Sequence, residues 1–382
     1  METAFCDIRE AVRRLCARFP GPYWRELDRA RAYPADFVQA LTDEGWLSIL
    51  IPEAYGGAGL PLAAAAAVLE EIHRSGANGA ACHAQMYTMG TLLRHGSEAQ
   101  KQAWLPKIAA GQIRLQSFAV TEPTSGTDTT RIATVARRHG DRYLVSGQKI
   151  WISRAEHSDL MLLLCRTAPR RDDKPADGLS VLVVDMRQAV GAGLTIRPIR
   201  TMLNHATTEL FFDELEVPAG NLVGEEGRGF RYILDGMNAE RILIAAECIG
   251  DGRFFTDRAS AYARERQVFG RPIGQNQGVQ LPIARAHVQI EAAALMVDKA
   301  AALFDAGEPC GAEANMAKLL ASEASWAAAD TCLQVHGGFG FAEEYDIERK
   351  FRETRLYQTA PISTNLILSH VAVHVLGLPK SF

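Results

Sequence analysis

The chain has 382 residues, of which 47% are hydrophobic and 23% are charged, with a formal net charge of −4. This composition is that of a globular protein with one to three domains, and the charge argues against a nucleic-acid-binding surface. The sequence contains neither a run of about eighteen apolar residues nor a signal-peptide pattern, so we expect a cytoplasmic protein without membrane contact. The seven cysteines are scattered, which predicts reduced, buried thiols and no metal site.

Residues 1–115 are predicted to form an α-helical domain. Apolar residues recur at helical spacing in residues 63–72 and 99–110, and the first of these segments is rich in alanine. The opening residues 9–31 are rich in arginine, but acids and aromatic residues are interleaved with them. That pattern predicts a solvated helix face.

Residues 116–222 are predicted to form a small β domain. Residues 133–145 contain β-prone runs on both sides of His139-Gly140-Asp141, which is typical of a hairpin. Further strands are predicted at residues 160–165, 180–185, 194–199 and 209–217. The polar segment 168–178 is predicted to be an exposed loop.

Residues 223–382 return to long helical patterns and are predicted to form a C-terminal α-helical bundle. The predicted helices cover residues 229–266, 280–306 and 312–333, and the glycine-rich segment 337–340 predicts a turn. The order of the zones lacks the βαβ alternation and the G-x-G-x-x-G motif of a Rossmann domain. P-loop, zincin and serine-hydrolase motifs are absent as well. The fold class is therefore α+β, mostly α.

One segment, residues 117–153, carries the strongest chemical signal. The β-prone run Ser117–Val120 breaks into small hydroxyl and glycine residues, which offer backbone N–H groups and short donors to a planar polar ligand. Trp151 stands two residues before Ser153 at the end of another predicted strand and adds an aromatic wall. This arrangement predicts a cradle for a flavin ring.

Five motifs give the chain its resemblance to the acyl-CoA dehydrogenase family, in that family's order. They are P-E-A-Y-G-G-A-G at 52–59, T-E-P-T-S-G-T-D at 121–128, R-Q-V-F-G at 266–270, Q-N-Q at 275–277 and Q-V-H-G-G-F-G at 334–340. Thr127 stands where serine is usual in the family. The resemblance covers nearly the whole chain, which is identified on these motifs as a member of the family.

The resemblance implies an N-terminal α-helical domain, a central β domain, a C-terminal four-helix bundle and bound FAD. The residues that would contact the flavin ring are Phe118, Val120, Thr121, Gly126, Thr127, Trp151, Ile152 and Ser153. Those that would hold the pyrophosphate and adenine of a neighbouring subunit's flavin are Arg266, Val268, Phe269, Gln277, Gln334, Val335, Gly337 and Gly338, with Ser363 and Asn365 as late adenosine contacts. Because this cofactor site is shared, the resemblance also implies a homo-oligomer, a tetramer or a dimer.

The reaction of the family needs a carboxylate that removes a proton from the substrate's α-carbon. Many members carry this Glu in a late Y-Q-x-x-E-G-T segment, but here Pro361 occupies the position and cannot take a proton. The isovaleryl-CoA and long-chain acyl-CoA dehydrogenases place the Glu on an earlier helix just before an Arg, and Glu240 followed by Arg241 matches that position.

Glu240 falls on an apolar helical stripe, where burial would raise its pKa toward that of a useful base. The alternative role for Glu240 is a structural ion pair, and Glu247 and His336 are the next candidates for the base. By the same resemblance, Thr127, Asn238 and Arg241 are the candidate substrate-binding residues.

The predicted activity is therefore the FAD-dependent oxidation of an acyl-CoA to the trans-2-enoyl-CoA, in fatty acid metabolism, with a hydride passing to flavin N5. An electron-transferring flavoprotein is the expected acceptor. Two alternatives stay open: a flavin monooxygenase that uses reduced flavin and O₂, and a non-catalytic subunit of a heteromeric dehydrogenase. The sequence favours a medium-to-long or methyl-branched acyl chain, and leaves open whether CoA or an acyl carrier protein carries it.

Overall fold

A computed structural model describes residues 5–380 of the chain. The helices are α1 Cys6–Ala17, α2 Gly21–Ala30, α3 Ala35–Asp43, α4 Leu62–Arg74, α5 Ala80–His95, α6 Glu98–Ala109, α7 Met186–Ala189, α8 Gly229–Glu265, α9 Gln277–Asp305, α10 Gly311–His336, α11 Ile347–Arg355 and α12 Thr364–His370. The strands are β1 Leu115–Ala119, β2 Val135–His139, β3 Arg142–Ser153, β4 Leu160–Arg166, β5 Leu179–Asp185, β6 Leu194–Pro198, β7 Thr207–Pro218, β8 Leu222–Val223, β9 Gln267–Val268 and β10 Arg271–Pro272. The predicted order of helices, sheet and helices is confirmed.

The described chain folds into two compact units. The first, here called the helical unit, contains the residues up to Ala30, Pro61–Gly79 and those from Asn238 onward. The second, the sheet unit, contains Arg31–Leu60 and Ala80–Met237. Because each unit combines segments that are distant in sequence, the three predicted domains with limits at residues 115 and 222 stay a prediction.

The sheet unit is built on a mixed sheet with the strand order β6-β7-β3-β2-β4-β5-β8, and β1 pairs in parallel with β4. The predicted hairpin of β2 and β3 is confirmed, with His139 opposite Arg142. Strand β4 consists of the apolar run Leu160–Cys165 followed by Arg166, and it is buried along its whole length. Both of its faces are covered, which explains why its sequence does not alternate between apolar and polar residues.

The two faces of β4 contribute to two different cores of the sheet unit. Leu160, Leu162 and Leu164 pack with residues of α5 and α6 such as Met89 and Ile108. The intervening residues Met161, Leu163 and Cys165 pack on the other face with residues of β3, β5 and β7. The side chains of a strand alternate between its faces, so this one segment ties helices and sheet together.

In the helical unit, alanines fill much of the interface between the long helices. Ala317, Ala321 and Ala328 of α10 are almost fully buried, as are Ala286 and Ala300 of α9. Small side chains let helix backbones approach closely, and burial of this apolar face keeps α9 and α10 packed. Among the described helices, none is both long enough and apolar enough to cross a membrane.

Two expectations about single residues were wrong. Arg9, expected on a solvated face, is buried and pairs with Glu70 at 3.0 Å and with Glu71 at 3.1 Å. A guanidinium can be buried there because two carboxylates on α4 compensate its charge. The cysteines are all free thiols, but only six are buried, since Cys6 on α1 is exposed.

A buried ionic cluster fixes the helical unit internally. The Asp251 carboxylate on α8 lies 2.5 Å from Lys350 Nζ on α11 and 2.9 Å from His73 Nδ1 on α4. The acidic neighbours of His73, which are Asp251 and Glu247, favour a protonated ring. The N–H of Gly79, however, donates to His73 Nε2 at 2.9 Å, and this hydrogen bond requires the neutral tautomer. Burial opposes the charge of Asp251, yet the charge of Lys350 and the hydrogen bond from His73 Nδ1 outweigh burial and lower the pKa of that carboxyl.

We predict that Asp251→Asn lowers the free energy of unfolding by about 3 kcal/mol, because Lys350 loses the nearer of its two buried counter-charges and keeps only Glu353, at 3.1 Å. Urea unfolding at pH 7 measures the loss. Because the pKa of Asp251 is lowered in the folded state below its ordinary value of 3.8, the difference between wild type and variant should persist at neutral pH and shrink as the pH falls below about 4. The matched control is Asp257→Asn on the same helix, whose exposed pair with Arg74 should contribute less than about 1 kcal/mol.

Candidate functional site

In the sheet unit, a bulge in β3 exposes the predicted aromatic wall. The pairing of β3 with β7 shifts register between Lys149 and Ile152. Within this irregular stretch Trp151 adopts a φ of +62° and leaves 57% of its surface exposed. Positive φ is uncommon for a bulky residue, and bulges re-aim side chains near functional sites. Regular strand alternation would point Trp151 into the core. The bulge turns it toward the surface instead.

A buried ion pair holds the end of β1 against this bulge. Lys149 Nζ lies 2.9 Å from Glu122 and donates to the Val120 carbonyl at 2.8 Å. Glu122 also accepts the N–H groups of Ala133 and Thr134 at 2.6 and 2.9 Å. Burial raises the pKa of Glu122, but Lys149 and these donors outweigh burial and lower it. Neither residue has a role predicted from the sequence, although Glu122 lies in the motif at 121–128 and Lys149 lies in the segment 117–153.

The other predicted flavin-ring contacts of the sheet unit lie around this pair. The N–H of Ile150 donates to the Thr121 carbonyl at 2.9 Å, which brings Thr121 beside the bulge. Phe118, Val120, Thr121 and Ser153 are half-buried, whereas Gly126 and Thr127 are exposed. Ile152 is 2% exposed and packs in a sheet core, so only its backbone can face a ligand on the Trp151 side.

In the helical unit, a second exposed aromatic residue sits on a tight hairpin. Strands β9 and β10 are joined by Phe269 and Gly270, whose φ angles are +53° and +76°. A two-residue loop with both φ angles positive is the geometry of a type I′ turn. Phe269 is fully exposed at the tip.

Two cavities flank this hairpin and contain most of the predicted pyrophosphate and adenine contacts. One, of about 450 Å³, is lined by Arg266, Val268, Val335, Gly337 and Gly338, together with Tyr262, Ile273, His336 and Phe339. The other, of about 600 Å³, is lined by Phe269, Gln334 and Val335. Asn276 and Gly278, the two residues on either side of Gln277, line it as well. The structure therefore brings residues of three separate motifs together.

The residues of the smaller cavity fit the anionic part of FAD. Arg266 lies over the Phe339 ring at 5.6 Å, and none of the described residues that line this cavity carries a carboxylate. A Cβ built on Gly337 or Gly338 would meet nothing within 4 Å, so the backbone there is open to a ligand. A guanidinium without a competing acid, beside accessible glycine N–H groups, is suited to a pyrophosphate.

Ser363 and Asn365 line neither of these two cavities. Ser363 is the N-cap of α12, where its hydroxyl accepts the N–H of Leu366 at 3.3 Å, and Asn365 is exposed on the first turn. The predicted adenosine contacts thus form a separate surface of the helical unit.

Glu240 lies in the most apolar stretch of α8, where residues 242–250 are all buried. The residue itself is 6% exposed, and within the described part of the chain no donor or cation pairs directly with its carboxylate. Burial raises the pKa of Glu240 to about 7, although the charges of Arg241 and Lys318 partly oppose the rise. A carboxylate with such a pKa is half-ionised near neutrality, as a proton-transfer group requires.

Arg241 and Asn238, the predicted substrate contacts on α8, bond to each other. Arg241 Nη1 donates to Asn238 Oδ1 at 3.0 Å. Arg241 also lines a cavity of about 320 Å³ with Asn315, Ile362, Leu366, Ser369, His370, Val373, His374 and Lys380. None of the lining residues within the described range 5–380 is acidic, so this lining favours polar or anionic groups.

The two alternative bases occupy structural settings. Glu247 is fully buried, with one oxygen 3.6 Å from His73 Nε2, and a hydrogen bond from Tyr357 reaches it as well. His336 stacks on Tyr262 at 4.2 Å, and its Nδ1 bonds to the Cys332 carbonyl at 2.8 Å. Burial lowers the pKa of His336. Both side chains are engaged by neighbours, in contrast to Glu240.

Models of the acyl-CoA dehydrogenase family match three consecutive parts of the chain. The N-terminal domain matches residues 5–112, the middle domain residues 117–215 and the C-terminal domain residues 227–375. A similar sequence is acyl-CoA dehydrogenase fadE12 of Mycobacterium bovis, which is 36% identical over 392 residues that cover 100% of both chains.

Solved structures give the same result. The glutaryl-coenzyme A dehydrogenase glutaryl-CoA complex has a TM-score of 0.91 and 31% identity, over 100% of this chain and 97% of the other. A chain in the structure of the electron transferring flavoprotein of Acidaminococcus fermentans has a TM-score of 0.90 and 29% identity, over 97% of each chain.

The raised pKa of Glu240 predicts a pH-dependent cost of folding. Because the folded state holds the proton more tightly than the unfolded state, stability should fall as the pH rises from about 4.5 to about 7. Glu240→Gln removes this cost, so its stability relative to wild type should be about 2 kcal/mol greater at pH 8 than at pH 5. Urea unfolding at both pH values measures the difference. Exposed Glu308 provides the control, since Glu308→Gln should show no such pH dependence.

Proposed function

Because the chain belongs to the acyl-CoA dehydrogenase family, we propose that it oxidises an acyl-CoA thioester to the trans-2-enoyl thioester with Glu240 as the base. Membership makes it an FAD-binding oxidoreductase that acts on acyl-CoA. The base, the acyl chain, the electron acceptor and the assembly are the specific parts of the proposal.

The observation that carries the assignment is the state of the Glu240 carboxylate. It is buried, it has no direct ion-pair partner among the described residues, and its pKa of about 7 lets it exchange a proton near neutral pH. Pro361, at the other base position of the family, has no group that can accept a proton. The three candidate bases are Glu240, Glu247 and His336. Of these, Glu240 is the one whose side chain is not engaged by a neighbouring group among the described residues.

In the proposed reaction, a carboxylate oxygen of Glu240 takes the proton from the α-carbon. FAD, when bound, supplies the acceptor, N5, for the hydride from the β-carbon. The two electrons of the broken Cα–H bond form the new double bond, so atoms and charges balance. Arg241, fixed by Asn238, lies next to the base and would bind the polar part of the thioester substrate.

Trp151, Thr121 and the Ser153 backbone would position the flavin on the sheet unit. The Glu122–Lys149 pair holds the end of β1 beside the bulge, so these groups are fixed before a ligand arrives. Such preorganisation reduces the cost of ordering the site on binding.

For the acyl group, we propose a medium-to-long or methyl-branched chain, since Glu240 occupies the base position of the isovaleryl-CoA and long-chain enzymes. An electron-transferring flavoprotein is the proposed acceptor. The similarity to a chain in the Acidaminococcus fermentans flavoprotein structure supports this partner.

We predict that Glu240→Gln slows flavin reduction by acyl-CoA about 10²- to 10⁴-fold, because the α-proton loses its acceptor. Anaerobic mixing with short, medium, long and branched acyl-CoAs, followed by loss of the flavin's visible absorbance, measures the rate. Glu308→Gln should react like wild type.

Two results would contradict this proposal. If Glu240→Gln still shows flavin reduction by acyl-CoA at the wild-type rate, another residue is the base. Product that forms only from NAD(P)H-reduced flavin and O₂ would instead identify a monooxygenase. A further comparison of CoA with acyl-carrier-protein thioesters of one acyl chain identifies the carrier.

We also propose that the protein is a homo-oligomer that associates through α9. Leu281, Val288 and Leu295 recur every seven residues on this helix and are 64%, 65% and 63% exposed. They form an apolar stripe about 21 Å long. A stripe with this spacing matches the packing of a helix against another helix, which a second copy would supply.

Val288→Glu should weaken this assembly, because a charge would be buried in the centre of the stripe. Light scattering after size-exclusion chromatography measures the mass at several concentrations. Gln289→Glu adds the same charge one residue away, outside the stripe, and should leave the mass unchanged. If Val288→Glu has the mass of the wild type, this helix is not the interface.

A further inference from the structure

Lys318, on α10, is a buried cation with an unusual partner. Its side chain has no solvent exposure, and its Nζ donates to the backbone carbonyl of Ile362 at 2.6 Å. Ile362 directly follows Pro361, the residue that stands where other family members carry a Glu. Lys318 therefore ties α10 to the segment that has lost the usual carboxylate.

Within the described chain, no carboxylate forms an ion pair with Lys318. The charged and titratable groups that face it are Glu240, Arg241 and Cys248 on α8 and Glu323 on its own helix. Burial and Arg241 lower the pKa of Lys318 to about 8, and the acidic groups only partly restore it. A buried ammonium without a paired carboxylate is costly.

The geometry links Lys318 to Glu240 through the neighbours of both residues. Asn315, one helical turn before Lys318, lines the 320 Å³ cavity together with Arg241, the residue after Glu240. Ile362, the hydrogen-bond partner of Lys318, lines the same cavity. The Lys318–Ile362 bond thus fixes one wall of a cavity that Arg241, the residue after Glu240, also lines.

We propose that Lys318 is a positioning residue for Glu240: its ammonium anchors residues 361–363 and supplies the positive charge that keeps the Glu240 carboxylate ionised and ready to accept a proton. The inference rests on the proposed function, because it assigns Lys318 a role toward the proposed base. Arg241 also faces Glu240, but its guanidinium is held by Asn238 and lines the cavity. Lys318 is the second cation that acts on this carboxylate.

The test is the pH dependence of flavin reduction in variants of the FAD-containing enzyme. Lys318→Met removes the charge and the hydrogen bond, so the acidic limb of the rate profile should move to higher pH by about one unit. The rate at a pH below the limb then falls about tenfold. Lys318→Arg keeps the charge and should restore the limb. An acidic limb of Lys318→Met at the wild-type pH overturns the proposal.

Lys318→Gln separates the charge from the anchor, and it replaces Lys318→Met if that variant does not fold. It keeps an N–H donor for the Ile362 carbonyl, so its limb should still shift because the charge is gone. An unshifted limb in Lys318→Gln means that the lysine is only a structural anchor, and the proposal is wrong. Lys299→Met, on the surface of α9, is the control and should leave the profile unchanged.

Glu240→Gln distinguishes failure of this inference from failure of the proposed function. If Glu240→Gln abolishes flavin reduction while Lys318→Met has an unshifted limb, only the role of Lys318 is wrong. If the flavin is still reduced in Glu240→Gln, another residue is the base, and both the proposed function of Glu240 and the role of Lys318 are wrong.

Discussion

Desolvation of one carboxylate, Glu240, is the constraint on which the rest of the site depends. An ionised carboxylate loses its hydration when it is buried in an apolar helix interface, and the loss favours the protonated form. Two nearby cations, Arg241 and Lys318, offset part of this cost, and the pKa settles at about 7 rather than higher. The burial that this apolar part of α8 provides is therefore what raises the pKa of Glu240.

Local patterns in the sequence were sufficient to predict most of the elements. The helical spacing of residues 229–266 and 312–333 appears in α8 and α10, and the hairpin of β2 and β3 forms around His139-Gly140-Asp141. The parallel pairing of β1 with β4 was not predicted, because it joins segments about forty residues apart and no local spacing encodes it. The solvated face expected for Arg9 failed for a similar reason, since its partners Glu70 and Glu71 lie on another helix.

The candidate site was predictable only where a motif carried it. Motif residues lie at the β3 bulge in the sheet unit, and others line the two cavities beside β9 and β10 in the helical unit. The residues that support them were missed, because a buried lysine looks like a surface lysine in a helical or β pattern. Lys149 and Lys318 are both fully buried, and each donates to a backbone carbonyl that only the folded chain brings near. Their roles depend on tertiary contacts and not on spacing.

Glu240, the proposed base, and Asp251 are two carboxylates of one helix whose surroundings differ. The two residues lie about three turns apart on nearly the same side of α8, and both are buried. Asp251 contacts Lys350 and His73 within 3 Å, so its pKa falls and its charge is fixed. Glu240 has no such contact among the described residues, so its pKa rises and its proton can exchange. Burial alone does not decide which carboxylate can act as a base; the absence of a directly paired cation does.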